Sequence, residues 1–227
     1  NIREVDAIVH VLRCFEDDDV SHVDGSVDPL RDAETIETEL MLADLESLEK
    51  RIQPLTKKIR GGDKEAQEQL DVIEPVMAAL KEGRPARTVA IDADRLKAFR
   101  MLQLLTAKPV LFACNVEEES AAEGNSQSAR VAEMAAAQGA AHVVISAAIE
   151  AEVAQLEEEE EKQAFLADMG LTETGLTRVI RAGHDLLNLI TFFTAGPKEA
   201  RAWTTPRGSK APQAAAAIHS DFERGFI

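Results

Sequence analysis

The sequence has 227 residues, of which 45% are apolar, so it can bury the core of at least one large domain. Its formal net charge of −16 at pH 7 argues against partners that attract proteins through charge alone, such as free DNA or an anionic membrane. Aromatic residues make up only 4% of the chain, which argues against base-stacking platforms of the kind that bind single strands.

The sequence carries no sign of membrane insertion or export. No apolar run approaches the roughly 18 residues of a membrane span, and no signal-peptide pattern is present, so we expect no membrane partner. Cys14 and Cys114 each end an apolar, strand-like run. We interpret them as buried reduced thiols rather than a disulfide, which predicts a cytoplasmic protein. Residues 1–4 resemble the last turn of a helix already under way, so we expect the chain to be part of a longer protein.

The first elements are a strand and a pair of helices. Residues 7–12 form an apolar run typical of a buried strand. Apolar residues then recur at alternating steps of three and four, on both sides of a Gly-Gly turn at 61–62. This pattern predicts an inserted antiparallel helical hairpin over residues 32–85. Because Pro54 and Pro75 lie inside the hairpin, we expect kinks or broken turns there.

Strands and helices alternate in the next part of the chain. The expected elements are an extended run at 88–91, a helix at 96–105 capped by Asp92 or Asp94, strands at 108–114 and 142–145, and helices at 128–138, 150–167 and 176–189. Alternation with short connections predicts a parallel sheet. We therefore assign residues 1–31 and 86–190 to one α/β domain.

The C-terminal part has a different organisation. Residues 190–194 and 199–205 flank a turn at Ala195-Gly196-Pro197, which predicts a β-hairpin. A short Ala-rich helix follows, and the residues from His219 onward resemble the start of a strand. A hairpin, a helix and a further strand predict part of a small β-grasp domain over residues 191–227.

Two strand ends carry the most informative residues. Asn115–Glu118, with the sequence Asn-Val-Glu-Glu, follows one buried strand, and Ser146-Ala147 follows the next. This arrangement matches the way in which nucleotide-binding G domains hold a purine base. In those domains the Asn side chain pins the loop and the N7 edge of the base, while Ser-Ala presents backbone N–H groups. The two strand ends therefore predict a base-binding site.

The identity of the loop residues predicts which base is bound. A guanine-specific loop would read Asn-Lys-x-Asp, and its Asp would accept hydrogen bonds from two guanine N–H groups. Here Val116 stands in place of Lys, and Glu118, one methylene longer, stands in place of Asp. The loop therefore predicts a pocket altered in favour of adenine. The alternative is a chance match, because Asn-x-x-Glu after a strand is a common pattern.

Several longer segments resemble the Obg-like ATPase family called YchF, and the resemblance covers nearly every residue. The segments that carry it lie at Asn1–Asp19, Gly61–Ala66, Asn115–Glu118, Gly175–Gly183, Thr194–Trp203 and Ile218–Ile227. The resemblance implies a P-loop NTPase-type G domain, an inserted helical hairpin and a partial C-terminal TGS domain. It also implies an ATPase that prefers ATP to GTP, needs Mg²⁺ and associates with ribosomes.

The resemblance assigns roles to the residues of the base site. It implies that Asn115 hydrogen-bonds adenine and that the Val116 main chain meets the exocyclic amine. Glu118 would brace the loop, and Ser146 and Ala147 would close the pocket. The phosphate-binding Gly-x-x-x-x-Gly-Lys-[Ser/Thr] loop does not occur in these residues. We therefore name no catalytic residue and expect the Mg²⁺ ligands in a preceding segment.

Two functions of different classes remain open at this point. The first is a ribosome-associated ATPase, and the alternative is a non-catalytic adaptor that docks protein or RNA and keeps a vestigial nucleotide site. Seven cations are candidates for ribosome or RNA contact, although all could be ordinary solvated charges: Lys198, Arg201, Arg207, Lys210, Lys57, Lys58 and Arg60. The histidines show no metal-ligand spacing, so we expect no metal site in this chain.

Overall fold

The computed structural model describes residues 2–17 and 26–226. Three strands form a parallel sheet in the order β1-β2-β3: β1 (Ile8–Arg13), β2 (Val110–Asn115) and β3 (Ala141–Ile145). The α/β class and the three expected strands are confirmed. Parts of the matching segments, namely Asn1, Asp18, Asp19 and Ile227, lie outside the described residues. Residues 2–6 form turns and bends, so a helix end is not seen there.

The helical hairpin is present and consists of α1 (Pro29–Arg60) and α2 (Lys64–Lys81). Its first helix begins three residues earlier than the pattern predicted, because Asp28 accepts a hydrogen bond from the Leu30 N–H and Pro29 suits the first helical position. The expected broken turns are wrong, since both helices continue through their prolines. Each proline lies beside apolar residues of a shared core, which stabilises the helix there: Leu48, Leu55, Ile73, Val76 and Leu80.

A buried carboxylate attaches this hairpin to the sheet domain. Asp44 of α1 is fully buried and accepts hydrogen bonds from the Leu105 N–H at 2.9 Å and the Thr106 N–H at 2.8 Å. It also accepts one from the Thr106 hydroxyl and forms a salt bridge with Arg3. The Ala86 N–H in turn donates to the Thr106 hydroxyl. The segment that leads into β2 is thereby fixed to the side of α1.

Three expectations for the middle of the chain are wrong. Residues 88–91 are not a strand, because the 3₁₀ turn at Ala86–Thr88 is bonded to Thr106. The helix α3 (Leu96–Met101) has no side-chain cap, since Arg95 rather than an Asp lies at its N-cap. The region 150–167 contains two helices, α5 (Ala147–Val153) and α6 (Glu159–Asp168). The acidic residues that begin α6 favour a new helix N-terminus, where they complement the helix dipole.

The remaining elements follow the expected order. Around β3 lie α4 (Ser126–Gln138), which Gly139 ends with a φ of 65°, and α7 (Gly175–Leu186). The hairpin of β4 (Leu189–Ala195) and β5 (Ala200–Pro206) is confirmed as an antiparallel pair, and α8 (Ala211–Ile218) follows it.

The strand expected after His219 is wrong, because α9 (Ser220–Arg224) occupies these residues. The His219 ring nitrogen accepts a hydrogen bond from the Asp221 N–H and so caps this short helix. Among the helices of the described part of the chain, none has the length and apolar character needed to cross a membrane.

Candidate nucleotide-base site

The two strand ends named by the sequence lie side by side in the structure. Asn115 is the register partner of Ile145, because β2 and β3 are adjacent and parallel. The Asn115 Oδ1 accepts a hydrogen bond from the Ala147 N–H at 2.8 Å. No described residue contacts the Asn115 Nδ2 within hydrogen-bond distance, so this amino group is available as a donor. The carboxyl edge of the sheet is where α/β folds place their ligands.

Val116 has a buried side chain and a free main-chain acceptor. Its side chain packs with Leu12, Cys14 and Val131 in the core beneath the sheet edge. Its N–H donates to the Ile145 carbonyl at 2.9 Å, whereas no described residue donates to its own carbonyl. The residue therefore presents an acceptor, rather than a donor, to a ligand at the sheet edge.

Ser146 lies on the other side of the same edge. It is the N-cap of α5, and its Oγ is buried without a hydrogen-bond partner among the described residues. Buried hydroxyl groups are rarely left unpaired, so this one is a candidate contact for a bound molecule. The Ala147 N–H is already bonded to Asn115, so it fixes the loop and is not free for a base.

The loop after Asn115 is braced by Glu117, which the sequence analysis did not single out. The Glu117 carboxylate accepts hydrogen bonds from the Ser120 hydroxyl and, at 3.0 and 3.2 Å, from the Asn125 amide. Burial raises the pKa of Glu117, but these hydrogen bonds lower it more, so the net pKa lies below the usual range. Glu118 is exposed and forms no side-chain hydrogen bond with a described residue.

Asn125 joins three parts of the site. Its Nδ2 donates to Glu117 and also, at 2.6 Å, to the Cys14 carbonyl at the end of β1. Its Oδ1 accepts from the N–H groups of Gln127 and Ser128 and so caps α4. The sequence analysis did not name Asn125, although Asn before Ser-Gln-Ser is a typical N-cap pattern. The bond to β1 has no such signal, because it joins residues that are far apart in the chain.

The two cysteines meet beneath this edge. Both are free and buried, as expected, and they belong to the same core cluster. The neighbouring Cys114 thiol and burial raise the pKa of Cys14, so it is a neutral thiol at pH 7. The pair therefore packs as small apolar groups below the base loop.

Two cavities bear on where a ligand could lie. One of about 310 Å³ adjoins the base loop and is lined by Cys14, Phe15, Glu16, Glu117, Asn125, Ser126 and Gln127. A larger one of about 620 Å³ lies away from this edge, between α1 and β1, with His10, Glu37 and Phe112 among its lining residues. Neither cavity is lined by Asn115, Val116 or Ser146, so the free polar groups of the two strand ends lie outside both.

The seven candidate contact cations are all exposed. Lys57, Lys58 and Arg60 lie in the last turn of α1, where they also complement the helix dipole. The other four lie on or beside the β4–β5 hairpin: Lys198, Arg201, Arg207 and Lys210. None of the seven forms a salt bridge with a described residue. The described residues contain no cluster of ligating side chains that could hold a metal ion.

Comparison with known proteins gives matches along the whole chain. The chain is 53% identical to the "Ribosome-binding ATPase YchF" of Haemophilus influenzae over 227 residues and 47% identical to that of Bacillus subtilis over 229 residues. All of this chain is matched in both cases, but it spans only 62% of the length of either relative.

Two further comparisons agree with these matches. The solved structure of the Schizosaccharomyces pombe YchF GTPase superposes with a TM-score of 0.84 at 34% identity, over 99% of this chain and 61% of that one. Residues 189–227 match the family model of the YchF-GTPase C-terminal region, described as a protein of unknown function (DUF933).

Proposed function

Because the chain belongs to the YchF family along its whole length, we propose that the protein containing it is a ribosome-associated ATPase. In this proposal the chain supplies the base-binding edge of the G domain, the helical hairpin and the surfaces that contact the ribosome. The names of the relatives favour an ATPase over a non-catalytic adaptor. We further propose a cytoplasmic location, in keeping with free cysteines and a ribosomal partner.

The hydrogen bond between Asn115 and Ala147 is the observation that carries the nucleotide site. It fixes the Asn115 side chain so that its Oδ1 is occupied and its Nδ2 can donate to the N7 of a purine. The free carbonyl of Val116 can then accept from an exocyclic amine. Adenine carries an amino group at C6, whereas guanine carries an oxygen that is itself an acceptor. The edge therefore favours ATP over GTP.

Glu117 and Ser146 complete the proposed pocket. Glu117 holds the loop through Ser120 and Asn125, and we assign it the bracing role that the resemblance gave to Glu118. Glu118 is exposed and forms no side-chain hydrogen bond with a described residue, so we assign it no bracing role. The unpaired hydroxyl of Ser146 and the first turn of α5, which begins at Ala147, close the opposite side.

Phosphate binding and catalysis are assigned to parts of the protein beyond this chain. Among the described residues β1 pairs on one side only, with β2, and its side chains Val9 and Val11 are 50% and 61% exposed. Such an open edge and apolar face fit the packing of a further strand and helix. We expect the phosphate-binding loop and the Mg²⁺ ligands there, since the described residues hold no cluster that could ligate Mg²⁺.

The division of the chain into domains follows from the same proposal. Residues 1–31 and 86–190 form the G-domain part, and residues 32–85 form the inserted hairpin. Residues 191–227 form part of a TGS domain, supported by the β4–β5 hairpin with α8. The basic groups of the TGS hairpin and of the helical-hairpin tip are the proposed ribosome contacts, because they are exposed and form no salt bridge with a described residue.

A salt series of ribosome co-sedimentation tests this assignment. Full-length protein is pelleted with ribosomes as wild type, as Arg201→Glu/Lys210→Glu and as Lys57→Glu/Lys58→Glu. Each lost phosphate contact should weaken binding and lower the salt dependence by about one unit of slope. Lys97→Glu/Arg100→Glu is the matched control, because these cations are exposed on α3, outside both patches. If both test variants pellet like wild type at every salt concentration, neither patch docks the ribosome.

A further inference from the structure

The two faces of the β4–β5 hairpin differ in composition and exposure. One face pairs Phe192 with Trp203 and Thr194 with Arg201, and its side chains are mostly half-buried. Here the Arg201 guanidinium stacks on the Trp203 ring at 4.2 Å, and the Trp203 indole N–H donates to Thr194 at 2.9 Å. We call this the inner face. Its polar groups are thus engaged within the hairpin.

The opposite face is open and carries a single large side chain. Phe193 pairs with Ala202 across the strands and is 76% exposed. Its neighbours on the same face are small and exposed: Thr191, Ala195, Ala200, Ala202 and Thr204. We call this the outer face. Because the side chains around Phe193 are small, the face of its aromatic ring is accessible to a planar group.

Charge identifies the kind of partner that this outer face fits. The segment from Lys198 to Lys210 carries four cations against one acid, Glu199, in a chain whose net charge is −16. Lys198 lies in the turn at one end of the hairpin, and Arg207 follows β5 at the other. A polyanion is therefore attracted along the hairpin on both sides of Phe193.

Protein docking is the less favoured alternative. A protein interface needs a cluster of buried apolar anchors, whereas this face offers one ring among small residues. RNA-binding sheets instead present exposed aromatic rings on which unpaired bases stack, within a basic surround. Aromatic residues are rare in this chain and the outer face carries one ring. This face can therefore stack one base.

We propose that the outer face of the β4–β5 hairpin binds RNA by stacking one unpaired base on Phe193. Lys198 and Arg207, at the two ends of the hairpin, hold the neighbouring phosphates. This inference rests on the proposed ribosome binding and specifies its chemistry, namely a single-stranded, unstacked position in RNA. Phe193 supplies the π-face, and Thr191 and Thr204 beside it can hydrogen-bond the base edge or the ribose.

Binding of full-length protein to a short single-stranded RNA that carries 2-aminopurine tests the stacking, alongside ribosome co-sedimentation. Phe193→Ala should weaken binding about five- to a hundredfold while the salt slope stays that of wild type, because a ring and not a charge is lost. Phe193→Trp should retain binding, whereas Phe193→Leu should resemble Phe193→Ala. The control is Phe222→Ala, which removes another exposed phenylalanine ring, on α9 and 54% exposed, and should bind like wild type.

The outcomes separate this inference from the proposal on which it rests. If Phe193→Ala binds like wild type while Arg201→Glu/Lys210→Glu weakens binding, docking through the hairpin stands and the stacking is overturned. If neither variant weakens binding to ribosomes or RNA, docking through the β4–β5 hairpin and the stacking are both overturned, while Lys57→Glu/Lys58→Glu tests the other patch. If Phe193→Leu binds ribosomes as tightly as wild type while Phe193→Ala does not, the residue makes an apolar protein contact, which also overturns RNA stacking.

Discussion

The Asn115 side chain accepts a hydrogen bond from the Ala147 N–H at 2.8 Å and so joins the ends of β2 and β3. This bond has two consequences that a mutation can separate. It stabilises the sheet edge, and it leaves the Asn115 amino group free to donate to the proposed base.

Substitution of Asn115 should weaken ATP binding in two distinguishable ways. Asn115→Ala leaves the Ala147 N–H unpaired and should cost about 1–3 kcal/mol in the free energy of unfolding as well as ATP affinity. Asn115→Asp can still accept from Ala147 but cannot donate to N7, so it should lose ATP affinity without the same loss of stability. ATP titration and urea unfolding of both variants check this. Unchanged ATP affinity in both would remove Asn115 from the base site.

Removal of the Asp44 carboxylate should destabilise the protein strongly. Asp44→Ala leaves the buried N–H groups of Leu105 and Thr106 unpaired and breaks the ion pair with Arg3. We expect a loss of about 3–5 kcal/mol in the free energy of unfolding, measured by urea denaturation. Glu46→Ala on the same helix is the control, because Glu46 forms only an exposed pair with Lys50, and we expect no measurable change. If Asp44→Ala is as stable as Glu46→Ala, Asp44 does not hold α1 to the segment that leads into β2.

The stability of the protein should fall as the pH drops below about 6.5. Burial lowers the pKa of His10 although Glu37 and Asp32 act to raise it, so the folded state favours the neutral ring. The unfolded chain then binds the proton more readily than the folded protein. Stability is therefore lost as the pH falls from the pKa of His10 in the unfolded chain to its lower pKa in the folded protein. As the pH is lowered, the urea concentration at the midpoint of unfolding should fall less steeply in His10→Gln than in wild type. His142→Gln, at an exposed histidine, should follow wild type.

The chain expressed alone should hydrolyse no ATP above background. In the proposed function it supplies contacts to the base, whereas its sequence contains no phosphate-binding loop. A phosphate-release assay with the purified 227-residue chain, beside the full-length protein, checks this. Mg²⁺-dependent turnover by the chain, free of contaminating ATPase, would contradict it.

The sequence predicted those features that depend on local pattern. The parallel strands before Asn115 and Ser146 were predictable because they are continuous apolar runs, and the helical hairpin because its apolar residues repeat along 29–81. The break between α5 and α6 was missed because apolar periodicity does not show where acidic residues begin a new helix.

The details of the candidate site were less predictable. Asn115 and Ser146 could be named because Asn115 ends one strand and Ser146 directly follows the next. The brace formed by Glu117 and Asn125 could not be predicted from the sequence. The Asn125 amide also donates to the Cys14 carbonyl, and that contact exists only once β1 lies beside β2. The unpaired hydroxyl of Ser146 likewise depends on what packs around it.

The most direct test of the account is a competition titration of full-length protein with labelled ATP against unlabelled ATP and GTP. We expect ATP to bind about ten- to a hundredfold more tightly, because guanine would oppose its oxygen to the Val116 carbonyl and leave its own N–H groups unpaired. Glu118→Asp alone should not reverse this preference, since Val116 also shapes the loop. GTP binding that equals or exceeds ATP binding in the wild-type protein would contradict the account.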